Sequence, residues 1–474
     1  MDEIRDTITG SIVLLLAFAS IFLVIIYLLF KIIKNKKYAI LLERLLILLI
    51  FTSSPQTQMI PFSRINPGFL KSFLLSDELN SAVLLISIPF YLCFLIVISR
   101  HFSKESDLIL HKFFVAIKRD FSLWILIFLG LLSQLWSETP GISFVSGLSI
   151  FLTSILAAYI AIQYSWKNIE SFLKLSLVIT ALSSLVYAVA IPSLGTGEKG
   201  WNGIFGFQIF LGMTMGLSAV VWLISNSRSA RESTCAYLVS ALSIFILLRT
   251  NSASGILVLS FLICVCVFFY SIKLINKKYH LSMFAFSAFI IVSLIGIIPP
   301  IISGILEMLG KSITLTGRTE FWPLVIDAIM EKPFLGYGVD GFWQPWRGYE
   351  NPAINIRTQY FIPPHSHNGF LDLGLNLGIV GLLLFMFSCL KTLSLSIKHG
   401  YDCSRFNFSI GLMPLVLISF VILAGSSESG PSALFAPSSL WFYYVLISVK
   451  LRMVDSKKLL CKSLNEYRNY CWYN

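Results

Sequence analysis

Residues Pro363–Phe385 read PPHSHNGFLDLGLNLGIVGLLLF. From Leu373 to Leu390 the run carries no charge. Counted from Gly369 it is about 20 residues long, enough for a helix to cross the hydrocarbon core of a bilayer. Similar apolar runs lie near 11–33, 38–53, 81–99, 121–137, 142–163, 171–192, 204–225, 234–250, 254–275, 281–305, 406–427 and 438–449. The expected fold is therefore all-α: a polytopic integral membrane protein, a single membrane domain over 1–474, with about 12–13 transmembrane helices.

Composition agrees. The 474 residues are 56% hydrophobic and 13% charged, whereas soluble domains carry about a quarter charged residues. The net charge of +12 suggests nucleic acid, but its distribution argues against that partner. Most of the lysines and arginines fall on alternate connections: KIIKNKK, RHFSKESD through HKFFVAIKRD, NSRSARES, KLINKKYH and the end KLRMVDSKKLLCK. Basic loops stay cytoplasmic. The basic tail 450–474 is thus expected inside, and the large loop 306–366 outside. The segment 38–53 contains Glu43 and Arg44; if it is interfacial, the lower helix count applies. The opening MDEIRD lacks the basic region and small-residue site of a cleaved signal, so the first span is expected to be retained.

The eight cysteines form no framework. Several lie in apolar runs, and Cys264-x-Cys266 lacks metal-site spacing. No metal or cofactor is expected.

Within the outer loop, GRTEFWPLVIDAIMEKP places Phe321, Leu324, Val325, Ala328 and Ile329 at helical spacing, with Pro333 as the stop. This predicts a short amphipathic helix on the outer membrane surface. The Gly-, Pro- and aromatic-rich remainder, FLGYGVDGFWQPWRGYENPAINIRTQYFIPPHSHN, reads as an ordered cap. A loop this long is usually functional.

On this topology His101, His111, His280 and His399 lie inside, and His365 and His367 face outward. A helix wheel places Gly374, Gly378 and Gly381 within about 40° of the direction of His367. Small residues allow close helix contact, so the ring is expected to point into the protein. Asp372 and Asn376 fall on the opposite side and suit a separate interhelical hydrogen bond. A helix N-terminus carries partial positive charge and free N–H groups. These disfavour imidazolium and leave a ring that can accept a proton as general base; they also attract anions. Among the few outward cations, Arg249 ends a span and Arg318 opens the amphipathic helix. Arginine offers bidentate geometry to phosphate, and Lys199 is a further cation on this side.

The stretch His367-Asn368, nine residues, then Gly378-Ile-Val-Gly381 resembles the H-N-x9-G-x-x-G signature of the O-antigen ligase and polymerase superfamily. Three further blocks follow in family order. LTGRTEFWPLVIDAIMEKPFLGYGVDGF is similar to the Gly-Arg-x-x-x-Trp helix followed by Pro-x-x-Gly-x-Gly. WNGIFGFQIFLG at 201–212 and SSESGPSALFAPSSLW resemble blocks of the exopolysaccharide-polymerase-like branch. Two cationic positions of the pattern are absent. Phe207-Gln208-Ile209 stand where the branch usually has His-Lys-Asn, and Ala253 stands where Arg or Lys is usual. Arg249, four residues earlier on nearly the same helical face, is placed to substitute for one of them.

The resemblance implies a bacterial plasma-membrane glycosyltransferase that needs no metal and acts on an undecaprenyl-diphosphate-linked glycan at the outer face. His367 matches the catalytic histidine. Arg318 matches an arginine assigned to the donor pyrophosphate, with Arg249 and Lys199 as further cations. Glu428 matches an acidic position in the last outer loop, and Asn368 and Trp322 belong to the matching motifs. The implied reaction is inverting. The 201–212 block favours polymerisation of O-antigen or exopolysaccharide repeat units; transfer to lipid A-core as a ligase is the alternative. A lipid-linked oligosaccharide flippase is a third class. It fits less well because the charges gather at span ends and no internal repeat is seen. Implied partners are the lipid-linked glycan, a glycan or lipid acceptor, the bilayer, and a chain-length regulator or flippase of the same pathway.

Overall fold

The computed structural model describes residues 36–53, 110–225, 229–274, 318–344, 351, 353, 365–402, 408–427, 435 and 439–463. The helices named from these residues are α1 (Lys36–Ser53), α2 (Phe121–Leu132), α3 (Pro140–Gln163), α4 (Trp166–Ala190) and α5 (Gln208–Leu223). They continue with α6 (Ala230–Arg249), α7 (Ala253–Leu274), α8 (Arg318–Glu331), α9 (Gly369–Asp402), α10 (Phe408–Ser427) and α11 (Ser439–Ser463). The chain is an all-α polytopic membrane protein. Five helices, α3, α4, α6, α7 and α9, are long and apolar enough to cross a bilayer, while α2, α5 and α10 are apolar but shorter. The spans expected near 11–33, 81–99 and 281–305 lie outside the described residues.

Local signals start the helices where the sequence supplies caps. Asp120 caps α2 through the Leu123 N–H, Ser165 caps α4 through Asn168, and Ser229 caps α6 through Glu232. Each side-chain oxygen takes a donor that the first turn leaves without a backbone partner. Pro140 occupies the first turn of α3, where its missing N–H is harmless.

Lipid tails are as apolar as leucine, so helix association in a bilayer relies on close packing and hydrogen bonds. The bundle uses both. A Cβ on Gly147 of α3 would lie 2.6 Å from the Gly130 carbonyl oxygen of α2. A Cβ on Gly255 of α7 would lie 2.6 Å from the Gly212 backbone of α5. Gly212 belongs to the 201–212 block, so that motif glycine is explained by a helix crossing. Helices α2, α3, α9 and α11 pack as one group, α5 packs with α6 and α7, and α10 touches both groups.

Helix α1 packs on α4. Its Glu43 is buried and accepts hydroxyl hydrogen bonds from Tyr159 and Tyr164, both at 2.8 Å. The acidic residue of the doubtful second span is thus satisfied inside the protein.

The basic segment from 450 begins within α11, not after it. Arg452 is buried and pairs with Asp120 at 2.6 Å. Asp120 also accepts from Ser388 at 2.7 Å and Ser448 at 2.8 Å, and Arg452 donates to Thr392 at 3.0 Å. Charge density along the sequence reads this arginine as tail, because its partners come from α9 and the α2 cap, far away in the chain.

Candidate functional site

Helix α9 is not continuous. Gly378 has φ 62° and ψ −161°, which breaks the helix between two straight pieces. The segment after α8 threads through that break. The Ile379 N–H donates to the Pro333 carbonyl at 2.7 Å and Val380 to Phe334 at 3.3 Å. In return, Tyr337 donates to the Leu375 carbonyl at 2.8 Å and Gly338 to Asn376 at 3.0 Å. The backbone groups freed by the break are therefore satisfied by the loop. A Cβ on Gly378 would come within 2.4 Å of the Phe334 carbonyl, and one on Gly336 within 2.3 Å of the Leu375 oxygen. Pro-x-x-Gly-x-Gly and G-x-x-G, separate motifs in the sequence, are two halves of one joint. The glycine stripe expected to serve helix packing has this different use: Gly378 admits the loop, and Gly374 faces Ile329 of α8.

The loop continues along α9. The Asp340 N–H donates to Asn376 Oδ1 at 3.2 Å, and Trp343 Nε1 to Asp372 Oδ1 at 2.9 Å. Asp372 and Asn376 thus bond to the loop 333–344, where the wheel suggested an interhelical hydrogen bond. The Asp372 carboxylate also accepts the Ser366 N–H at 3.2 Å. Underneath, Val339 is pinned between Ser133 and Ser143 hydroxyls at 3.0 and 2.8 Å. The buried amide of Gln344 donates to Thr139 at 2.6 Å.

Helix α8 turns Val325 and Ala328 inward, where they pack with Tyr337, Phe342, Ala353 and Leu375. The amphipathic helix is present, with its buried stripe set on α9 and the loop, while Leu324, Ile326 and Met330 stay exposed. Tyr337 donates to Glu331 at 3.0 Å, and burial pushes its phenol well above the ordinary range.

His367 stands two residues before α9, in the left-handed region at φ 55°. It is therefore off the helix wheel, and its direction is set by the turn. The ring lies edge-on to His365, centroids 4.1 Å apart, and the residue is half-buried. Trp322 Nε1 donates to the Ser366 carbonyl at 2.9 Å, tying α8 to the histidine turn. Asn368 uses its side-chain oxygen as the cap of α9, accepting from Phe370 at 3.0 Å and Leu371 at 3.4 Å. The helix end that was expected to attract anions is thus occupied by the chain itself. Arg318 opens α8.

The cations form a second cluster. The turn 195–203 folds back on the end of α6. The Trp201 N–H donates to the Arg249 carbonyl at 3.0 Å, and Asn251 Nδ2 donates to the Lys199 carbonyl at 2.8 Å. The Arg249 guanidinium lies 5.1 Å from the centre of the Trp201 ring, and Lys199 and Arg249 are both exposed. A Cβ on Gly200 would strike the Thr250 carbonyl at 2.5 Å, so glycine permits this close docking. Phe207, where the branch usually has histidine, is 56% exposed beside α5, so no imidazole is supplied there. Glu428 lies outside the described residues.

Sequence reading missed Asp340, Trp343, His365 as a ring partner, and the Asp120–Arg452 pair. A signal for Asp340 was present: Asp-Gly follows two glycines in GYGVDG, and Asp tolerates positive φ.

Residues 238–386 match the family model described as O-antigen ligase, a region holding Arg249, Arg318, Trp322, His367, Asn368 and the interlocked glycines. The chain is 26% identical over 278 residues to the exopolysaccharide production protein ExoQ of Rhizobium meliloti, covering 55% of this chain and 62% of that protein. It is 39% identical over 70 residues to a Rickettsia conorii protein named as a candidate polysaccharide ligase, covering 15% of this chain and 17% of that one. The chain thus spans less than two thirds of the length of each of these relatives. The ordered motif blocks, the joint they build and the matched region agree: residues 238–386 carry the O-antigen ligase match, and over a longer stretch the chain is similar to the exopolysaccharide production relative.

Proposed function

We propose that the protein is a metal-independent membrane glycosyltransferase that polymerises undecaprenyl-diphosphate-linked repeat units at the outer face of the plasma membrane. The observation that carries this reading is the placement of His367. It stands off the helix at positive φ, on a turn fixed by Trp322 and the Asn368 cap. Strained conformations held by surrounding structure gather at functional sites.

In this reading His367 accepts the proton of an acceptor hydroxyl as that oxygen attacks the anomeric carbon. The bond from that carbon to the diphosphate oxygen breaks on the opposite face, its electron pair leaves with undecaprenyl diphosphate, and configuration inverts. Arg249, Lys199 and Arg318 compensate the charge that grows on the leaving group. The Trp201 ring beneath Arg249 keeps the guanidinium aligned. Trp322 holds the histidine turn, and Glu428 is a further substrate-binding candidate.

His367→Ala is expected to lower turnover of lipid-linked glycan by about 10²–10⁴-fold, with the protein still folded. Full activity in that variant would refute the assigned base. A second reading, ligase, is favoured by the description of the matched family. Deletion of the gene separates the two: lipid-linked single repeats indicate a polymerase, and full-length glycan left on undecaprenyl diphosphate indicates a ligase.

A further inference from the structure

We propose that His365 is a positioning residue for His367, its ring braced against the His367 imidazole and fixing the direction in which that imidazole meets an acceptor hydroxyl. What His367 does rests on the transferase reading above; the ring contact rests on geometry.

The two histidines flank Ser366, which is fully buried and held at every polar atom. Its N–H donates to Asp372 Oδ1 at 3.2 Å, and its carbonyl accepts from Trp322 Nε1 at 2.9 Å. Its hydroxyl donates to the Asn368 carbonyl at 2.7 Å and accepts the Asn368 N–H at 3.1 Å. Asp372 Oδ1 also takes Trp343 Nε1 at 2.9 Å. Helix α8, the loop 333–344 and α9 therefore converge on this one serine, and both flanking side chains start from an anchored backbone.

An anchored backbone does not by itself aim an imidazole. His367 is half-buried, and two side-chain torsions separate its ring from the turn. Asn368 spends its side-chain oxygen on the first N–H groups of α9. Asp372 Oδ1 serves Ser366 and Trp343. His365 does reach the ring, with centroids 4.1 Å apart and planes inclined by 69°.

That distance defines the kind of contact. A straight hydrogen bond between ring nitrogens, about 2.9 Å long, would hold the centroids about 5 Å apart. At 4.1 Å and 69° one ring sets its edge on the face of the other, an arrangement that aromatic pairs prefer. The face of such a ring is negative, so the edge presented to it is a C–H or N–H and not a lone pair. Whichever histidine supplies the edge, the proton-accepting nitrogen of His367 points away from the contact. His365 thus steers the ring and leaves its lone pair for a substrate hydroxyl. A proton relay between the two would need the nitrogen-to-nitrogen line, which this separation does not match.

Three variants separate a ring at 365 from a polar group there. His365→Phe keeps an aromatic edge and face without a titratable nitrogen, His365→Gln keeps polarity without a ring, and His365→Ala removes both. Turnover is measured with lipid-linked repeat units extracted from a strain that lacks the gene. His365→Ala and His365→Gln are expected to lower kcat by about 10- to 100-fold, as for a reacting group displaced by about 1 Å. KM should stay within about twofold, because ground-state binding is untouched. His365→Phe should keep most of the wild-type kcat, and added imidazole should restore neither of the others. Wild-type kcat in His365→Gln overturns the proposal. So does a loss in His365→Phe as large as in His365→Gln, and so does rescue by imidazole, which would make His365 a proton carrier. The Phe and Gln pair decides the matter if His365→Ala does not fold.

A second readout needs no turnover. The ring NMR signal of His367, one of six histidines, is identified by its loss in His367→Ala. One sharp environment is expected in wild type and His365→Phe, and a broadened signal in His365→Gln. An equally sharp signal in His365→Gln overturns the brace. Wild-type protein that turns over no glycan refutes the transferase reading alone, and the brace is then judged on this signal.

Discussion

Helix α9 is anchored by different chemistry in its two halves. Beyond Gly378 its C-terminal half reaches the Asp120–Arg452 pair, where Ser388 and Thr392 join a buried ionic network. Its N-terminal half is held by backbone hydrogen bonds to the loop 333–340, through glycines that admit the loop at contact distance. The C-terminal join relies on charge taken out of water, which is strong only while both partners are present. The N-terminal join relies on shape and neutral hydrogen bonds, each worth about 1 kcal/mol. One end fixes the helix in the bundle. The other holds a loop and a histidine turn in register.

The contrast can be broken by substitution. Arg452→Ala strands the Asp120 carboxylate in the bundle and is expected to destabilise by about 3–5 kcal/mol, read from unfolding in detergent. Undecaprenyl diphosphate binding by the protein that remains folded should be unchanged; coupled loss of binding would show that the two halves act as one unit. Gly378→Ala forces a Cβ against the Phe334 carbonyl in a backbone region almost restricted to glycine. It is expected to cost about 3 kcal/mol and to lower turnover as well, since the histidine turn rides on the same helix. Near-wild-type stability would mean that the loop yields and the join is not rigid.

Smaller changes refine the N-terminal half. Trp343→Phe removes one donor from Asp372 and is expected to cost about 1–2 kcal/mol, with KM affected more than kcat; no change in either would remove Trp343 from the path to the histidine turn. The smallest effect concerns pH. The Asp340 carboxyl is raised in the folded state, so the folded protein loses relative stability as pH rises above the ordinary carboxylate value of about 4. Asp340→Gly lacks this group. Its stability relative to wild type should therefore be greater at pH 7 than at pH 4, and no difference between the two would contradict the raised carboxyl.

Much of this was legible in the chain. Hydrophobic runs of bilayer length announce membrane helices because the bilayer solvates apolar side chains directly. The apolar run from Gly369 read as a span, and α8 read as amphipathic from its 3.6-residue period. The helix wheel failed at His367 because a wheel assumes helical φ, and this residue lies before the cap at positive φ. It failed again at Gly378, where a glycine in an apolar run reads as a packing contact yet marks a break.

By itself the sequence determined the solvent the protein lives in, the helical class, and the motif residues that resemble the O-antigen ligase pattern. These depend on composition and on spacing along one element. Tertiary structure alone decided that two distant glycine motifs are one joint, that Arg452 is a buried partner of Asp120, and that Asp340 holds positive φ with its N–H on Asn376. Each depends on which backbone meets which across many intervening residues, and local periodicity does not encode that meeting.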